Sequence, residues 1–454
     1  MSKNIQMTQG HPAKLMLSFA LPLMAGNVFQ QLYTVVDTAI VGQGVGLQAL
    51  AALGAVDWLN WMMLGIIQGF TQGFGVKMSQ KYGQGDGEGL KKVIGVSAVL
   101  SVLITVVLLT VSQASLGLFL QILRVPDDLA DISVSYTRIL FAGLPAVMFF
   151  NFCAGVLRSV GDSRTPLRAM IAASLTNILL DLVAVFVLKW GVAGAALATV
   201  LSQCLSGILC ARKIASSPLL RFAKRDCKEW PLAGPLMLLG VPIALQNVII
   251  SVGGMLLQSL VNEFGTAFIA GFTATNKLYG ILEIAAISYG FAITTYVGQN
   301  YGAGAFQRIR TGVSWSVLIS VLTSAVIAAV MLLFGRQITM LFISADTVEL
   351  ELEAGETAYR YLCVMSLSLP VLYLLYVYRS ALQGMGNTLI PMLSGVAEFV
   401  MRVGIAFLTA GFYGWKEGLY LAEVSAWAGA ALLLSCAYFV SAARLKRRQE
   451  NSLL

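Results

Sequence analysis

The sequence has few charged residues, one histidine and no cysteine pairs. Only 11% of its 454 residues are charged, whereas soluble domains average about 25%. This low charge and a hydrophobic fraction of 57% exclude an ordinary soluble fold. His11 is the single histidine, and histidine is the usual residue of metal sites and of general-base catalysis, so both are disfavoured. The six cysteines form no CxxC pair, which argues against a disulfide framework, so we expect no metal site and no cofactor.

The formal net charge of +8 does not indicate a nucleic-acid partner, because Lys and Arg lie in short loops between apolar runs. Each run is at least as long as the ~20 residues that cross ~30 Å of hydrocarbon. The runs predict twelve transmembrane helices, at about 15–42, 47–80, 91–118, 132–158, 166–188, 191–212, 233–262, 266–300, 307–334, 355–384, 388–412 and 417–443. No cleavage pattern follows the first run, so we expect that helix to be retained. The sequence therefore predicts an all-α polytopic membrane protein.

Basic residues collect on one side of these predicted helices. The longest basic loop follows the sixth helix and contains Arg212, Lys213, Arg221, Lys224, Arg225 and Lys228. The N-terminal segment, with Lys3, and the tail are also basic, whereas the opposite loops hold few basic residues, such as Arg124, and an acidic stretch around Asp346. Because cytoplasmic loops retain Lys and Arg, both termini are predicted to be cytoplasmic. We expect an N-terminal six-helix lobe at 1–214, a cytoplasmic linker at 215–230, a C-terminal lobe at 231–443 and a cytoplasmic tail at 444–454.

The two predicted lobes repeat each other. QKYGQG at 80–85 matches QNYGAG at 299–304 with a shift of 219 residues, and LRSVGDSRTP at 157–166 matches LQGMGNTLIP at 382–391 with a shift of 225. Six crossings return the chain to its starting side, so the repeats are predicted to be parallel. Parallel repeats around a central cavity are typical of transporters.

Few charges lie inside the predicted helices, and three first-lobe helices place polar groups at one depth. At 1.5 Å per residue, Asp37, Asp181 and Thr199 each lie roughly 7 to 12 Å from the outer ends of their helices. Asn177 precedes Asp181 by one helical turn and shares its face. These oxygen ligands suit a proton or a hard cation such as sodium. The alternative for Asp37 is an interfacial residue that caps a broken helix.

The second lobe has a different set of charges. Glu398 and Arg402 have the i, i+4 spacing of an intrahelical salt bridge, which favours a structural role. Lys277 could line a central cavity or extend to the membrane interface. Whether Glu283, Glu398, Arg402 and Glu423 are functional or structural stays open at this point.

A substrate cavity needs polar, aromatic and methionine side chains that can repack around varied ligands. The candidates are Gln30, Gln31, Tyr33, Trp58, Trp61, Met62, Met63, Gln246, Asn247, Lys277, Tyr279 and Glu283. For each of them, the alternative is a position facing lipid or the protein core.

These motifs together resemble the multidrug and toxic compound extrusion (MATE) family over the whole chain. The resemblance rests on VDTAIVG in the first helix, QxYGxG after the second and eighth, and GDSRTP before the fifth. It implies two six-helix bundles in a V shape and an inner-membrane antiporter. It also implies that Asp37, Asn177, Asp181 and Thr199 bind the coupling cation. Helices 7 and 10 lack the carboxylates that some members use.

The expected function is therefore export of amphipathic or cationic drugs, driven by protons or sodium, by a monomer in a bacterial cytoplasmic membrane. The first alternative is a flippase of the same superfamily for lipids or lipid-linked oligosaccharides, which would favour a larger basic cavity. An enzyme is not expected, because no DxxxD pair stands in a cytoplasmic loop. A channel is disfavoured by the parallel repeat and by the lack of a filter-like loop. Substrate range and coupling ion stay open.

Overall fold

The structure is a computed structural model that describes residues 6–122, 127–340, 343 and 348–453. Lys3, Arg124 and Asp346, which the charge distribution used, lie outside these residues.

Helices dominate the described residues. In chain order, α1 to α8 are Pro12–Gly44, Leu47–Gly83, Gly87–Ala114, Leu116–Ile122, Asp127–Ala142, Leu144–Ser159, Arg164–Leu182 and Gly191–Ala215. Helices α9 to α14 are Ala233–Val261, Thr266–Gly302, Phe306–Met340, Val348–Gly384, Leu389–Ala406 and Leu419–Leu453. Short π-helical segments, Val183–Val187 and Phe407–Phe412, extend α7 and α13.

The all-α polytopic fold is confirmed. Among the described residues, ten helices are long and apolar enough to cross a membrane, or eleven if α5 and α6, bent by 42°, form one span. Helix α2, Leu47–Gly83, coincides with the second predicted helix at 47–80. The twelve predicted helices correspond, in order, to α1 to α3, the α5–α6 pair and α7 to α14.

The repeated QxYGxG motif forms the same turn in both halves. Helices α2 and α10 end at its first glycine, and the second glycine takes a positive φ, 73° at Gly85 and 67° at Gly304. A side chain would be strained in this left-handed conformation, so the turn requires glycine. Asp86 then begins α3, because its carboxylate accepts a hydrogen bond from the Gly89 N–H at 2.8 Å.

The described chain divides into two compact units. The first contains Leu21–Ala244, including the linker, and the second contains Met7–Ala20 with Leu245–Leu454. Both boundaries fall inside helices, α1 and α9. The lobes predicted at 1–214 and 231–443 stay a prediction.

Each unit has its own core. In the first unit, side chains of α3, α6 and α8 pack with Leu220 of the linker. In the second unit, Phe272 stacks on Tyr361 at 4.5 Å, and Tyr361 stacks on Tyr420 at 5.1 Å, which joins α10, α12 and α14. Met7 is fully buried there.

Candidate functional site

A cleft with about 360 Å³ of empty space lies in the first unit, where α1, α6, α7 and α8 meet. Its wall combines amides and hydroxyls with a few apolar side chains. The lining residues are Gln30, Tyr33, Phe150, Met170, Ala173, Ser174, Asn177, Thr199, Ser202, Gln203 and Ser206. Four of the predicted site residues are among them: two cavity candidates of α1 and two members of the predicted cation cluster.

Two members of the predicted cation cluster are joined by a hydrogen bond. The Asn177 amide of α7 donates to the Thr199 hydroxyl of α8 over 3.5 Å, at the long limit for such a bond. Asn177 is 1% exposed, and its amide oxygen has no hydrogen-bond partner among the described residues. That oxygen is therefore available to a ligand in the cleft.

The two carboxylates of the predicted cluster also come together. Asp37 of α1 and Asp181 of α7 lie close enough for their side chains to interact. Asp181 is fully buried, and neither of its carboxylate oxygens has a hydrogen-bond partner among the described residues; the same holds for Oδ1 of Asp37. An unpaired buried carboxylate is costly, so binding a proton or a cation would stabilise this arrangement.

The local sequence explains why these groups meet. Asn177 and Asp181 are four residues apart on α7, so they share one face of that helix. Tyr33 and Asp37 have the same spacing on α1. One residue of each pair, Tyr33 and Asn177, lines the cleft, together with Thr199 of α8.

Sequence reasoning missed the serines of the cleft. Ser174 stands three residues before Asn177, and Ser202 and Ser206 follow Thr199 at helical spacing. Hydroxyl groups at i, i+3 and i+7 on one face could have indicated a polar stripe along α8. Single serines in apolar helices are common, so the individual residues gave no such signal.

The remaining first-half cavity candidates lie elsewhere in the first unit. Gln31 does not line the cleft. Trp58 and Trp61 of α2 are 37% and 59% exposed, whereas Met63 is buried in an apolar cluster against which Met62 packs. Their assignment to a substrate cavity stays a prediction.

Glu283 forms the centre of a polar group in the second unit. Its Oε1 accepts hydrogen bonds from the hydroxyls of Tyr279, at 2.9 Å, and Tyr376, at 2.6 Å. The Tyr279 ring also stacks on Trp427 at 5.5 Å. Two predicted cavity residues therefore contact each other, and Tyr376, which was not a candidate, joins them from α12.

The predicted intrahelical salt bridge between Glu398 and Arg402 is wrong. Glu398 pairs instead with Arg379 of α12, and Arg402 pairs with Glu423 of α14 at 2.8 Å. The four side chains are at most 13% exposed. Both residues of α13 face neighbouring helices rather than solvent, so each meets a charge from outside its own helix. The two pairs link α12, α13 and α14.

The other second-half candidates have separate positions. Gln246 is 1% exposed and packs against Gly395. The backbone carbonyl of Asn247 accepts a hydrogen bond from Ser251 at 2.9 Å. Lys277 is exposed. No group of three or more His, Cys, Asp or Glu side chains in the described part of the chain could hold a metal ion.

The polytopic helical fold, the internal repeat and the buried polar cleft together define a membrane transporter. The model of the MatE family matches residues 22–183 and 242–408, more than half of the chain, so the protein belongs to this family of transporters and is not an enzyme. Transporters of this family need no cofactor.

Individual relatives match along most of their length. The chain is 28% identical to the "Probable multidrug resistance protein YpnP" of Bacillus subtilis, over 91% of this chain and 92% of the relative. It is 26% identical to "Probable multidrug resistance protein YoeA" of the same species, over 86% and 85%. A solved MOP superfamily transporter from Pyrococcus furiosus, described as having a binding pocket of reverse polarity, is similar with a TM-score of 0.91, 22% identity, and coverage of 98% and 99%. That likeness concerns the fold.

Proposed function

We propose that this transporter is a cation-coupled antiporter that exports amphipathic or cationic drugs across the bacterial cytoplasmic membrane by alternating access. The proposal is supported by the interaction of Asp37 with Asp181. Asp181 follows Asn177 by one turn of α7, and Asn177 donates a hydrogen bond to Thr199 in the cleft. Oxygen atoms in this group lack partners among the described residues. The names of the two Bacillus relatives, each printed as a "Probable multidrug resistance protein", support the substrate class.

The mechanism follows from the ligands of the cluster. A proton or sodium ion enters from outside and binds the two carboxylates, with Asn177 and Thr199 as neutral oxygen ligands. Binding removes the repulsion between Asp37 and Asp181, so the loaded and empty states favour different packings of α1 against α7. Cation and drug then drive transport only if they prefer different conformations, because a ligand shifts an equilibrium by its differential affinity.

Dye efflux tests this proposal. Ethidium is added outside everted vesicles containing the protein, so that export from the cytoplasmic face is measured as dye uptake, and sodium and pH gradients are imposed separately. We expect one gradient to drive dye transport, and that gradient identifies the coupling ion. Asp37→Asn and Asp181→Asn should reduce transport to the level of vesicles without the protein. The amide that replaces the carboxylate carries no charge, so it can neither take up a proton nor balance the charge of a sodium ion.

A matched control makes the result specific. Asp131→Asn makes the same chemical change at an exposed position of α5 outside the cleft, and we expect it to transport like the native protein. If both cleft variants are expressed at native levels and still transport dye, the carboxylates do not couple transport. If no gradient drives dye movement, the drug-antiport proposal fails, and lipid flipping becomes the next assay.

The same proposal places both termini and the linker in the cytoplasm. The distribution of Lys and Arg supports this orientation. Monomeric function is proposed as well, because one chain carries both halves of the repeat. The size of the purified protein in detergent tests it.

A further inference from the structure

The second unit holds an uneven set of charges inside its helices. Arg379 pairs with Glu398 and Arg402 pairs with Glu423, so each of these pairs is neutral. Arg379 and Glu423 also act electrostatically on Glu283 of α10. Glu283 itself forms no ion pair with any residue that the structure describes. These five side chains therefore carry one negative charge that no basic group balances.

This unbalanced charge lies in the middle of a membrane-spanning helix. Helix α10 extends from Thr266 to Gly302 and is apolar enough to cross a membrane. At 1.5 Å per residue, Glu283 is about 25 Å from the start of the helix and about 28 Å from its end. A charge at this depth is costly, and an acid held there is by default a functional group. A cation from outside the protein would balance it.

The hydrogen bonds of Glu283 leave one side of its carboxylate open. Tyr279 and Tyr376 both donate to Oε1, at 2.9 and 2.6 Å, whereas Oε2 receives no hydrogen bond from the described part of the chain. All three side chains are partly exposed. The two hydroxyls thus fix the orientation of the carboxylate, and Oε2 is available to a ligand.

Aromatic rings flank this carboxylate. The Tyr279 ring stacks on Trp427 at 5.5 Å, and the centre of the Tyr376 ring lies 5.7 Å from the Arg379 guanidinium. The face of an aromatic ring attracts a cation. A hard metal cation, by contrast, requires several oxygen ligands. One available carboxylate oxygen between aromatic rings therefore favours an organic cation over a metal ion.

We propose that Glu283, Tyr279 and Tyr376 form a binding site for a monovalent, aromatic organic cation, which is the transported substrate. Its positive charge would lie beside Oε2 and balance the charge of Glu283, and its apolar groups would pack on the Tyr279 ring. This inference rests on the proposed drug export, because it names the site that recognises the drug. Recognition and coupling are then separate, since Asp37 and Asp181 bind the coupling ion.

Two ions of the same shape and opposite charge test the proposal. Binding of tetraphenylphosphonium and of tetraphenylborate to the purified full-length protein is measured at equilibrium, above the background of protein-free detergent. We expect the native protein to bind the phosphonium at least about tenfold more tightly than the borate, and Glu283→Gln to lose at least about tenfold in phosphonium affinity. The amide still accepts the tyrosine hydrogen bonds but carries no charge. Glu263→Gln makes the same change at an exposed position after α9 and should bind like the native protein.

Variants of Tyr279 test the aromatic part of the site, also in case Glu283→Gln does not fold. Tyr279→Phe keeps the ring, whereas Tyr279→Leu removes it, so we expect the phenylalanine variant to bind the phosphonium about fivefold more tightly than the leucine variant. Equal binding by these two variants would overturn the proposal. Equal binding by Glu283→Gln and Glu263→Gln would overturn it as well, because Glu283 would then hold a proton and act only in structure.

The binding assay needs no ion gradient, so this proposal and drug antiport can fail separately. If Glu283→Gln loses phosphonium binding while no gradient drives dye transport by the native protein, the binding site stands and antiport fails. If a gradient drives dye transport while Glu283→Gln binds the phosphonium like the native protein, antiport stands and the proposed site is refuted.

Discussion

Removing one charge of the buried pair Arg379–Glu398 should destabilise the second unit strongly. Both side chains are at most 10% exposed. Glu398→Gln leaves the guanidinium buried, with the Ser394 hydroxyl at 3.5 Å as a remaining neutral acceptor. Breaking a buried ion pair in this way costs about 3 to 5 kcal/mol, because the surviving charge has lost both water and its partner.

The double variant Arg379→Met with Glu398→Leu tests whether the unpaired charge causes the loss of stability. Replacing both charges by apolar groups of similar volume removes the unpaired charge, and such replacements are often neutral or stabilising. We therefore expect the double variant to unfold close to the native midpoint, while Glu398→Gln unfolds well below it. Thermal unfolding in detergent, followed by loss of the monodisperse peak, measures both.

An exposed pair provides the control. Arg360 and Glu356 form a 2.8 Å ion pair whose side chains are 62% and 46% exposed. Glu356→Gln should change stability by less than about 0.5 kcal/mol, because solvent screens exposed pairs. The reasoning is refuted if Glu398→Gln is as stable as this control, or if the double variant is less stable than the single one. Dye efflux by the double variant then shows whether the pair acts only in stability, as we expect.

Three further predictions concern packing, capping and orientation. A Cβ on Gly312 would lie 2.1 Å from the Tyr296 ring, so Gly312→Ala should lower stability by about 1 to 3 kcal/mol in the same unfolding assay. Asp86→Ala should cost about 1 kcal/mol at neutral pH. Hydrogen bonds from Lys81 and the Gly89 N–H hold the pKa of Asp86 below its usual value. The stability that Asp86 contributes is therefore fully present above the unfolded pKa of about 3.9 and is lost as pH falls through the lower folded pKa. Unfolding midpoints measured across acidic pH test this dependence. Cys227 of the partly exposed linker should react with an impermeant maleimide in everted vesicles but not in intact cells, and the reverse result would invert the proposed orientation.

The sequence predicted the helices well because membrane insertion requires long apolar segments whose ends are marked by charge, glycine or proline. It did less well within the pair α5–α6, which it predicted as one helix at 132–158. Local hydropathy does not encode the 42° bend between these two helices.

The candidate site was partly readable from spacing. Asn177 and Asp181 share a helix face in any α-helix of this sequence, so predicting that shared face needed no tertiary information. The same rule misled at Glu398 and Arg402, because spacing shows only which partners are possible on one helix. It cannot show that Arg379 and Glu423, from two other helices, lie closer to those charges.

Apolar length, charge asymmetry and the repeated motifs were sufficient to determine an all-helical membrane fold and its helix order. These features depend on each segment and its solvent, so the chain displays them without being folded. Tertiary structure alone decided which helices bring Asp37 beside Asp181, which charges pair in the second unit, and where Leu220 of the linker packs. Those outcomes depend on the packing of helices distant in sequence, where burial makes each unpaired polar group costly enough to select its partner.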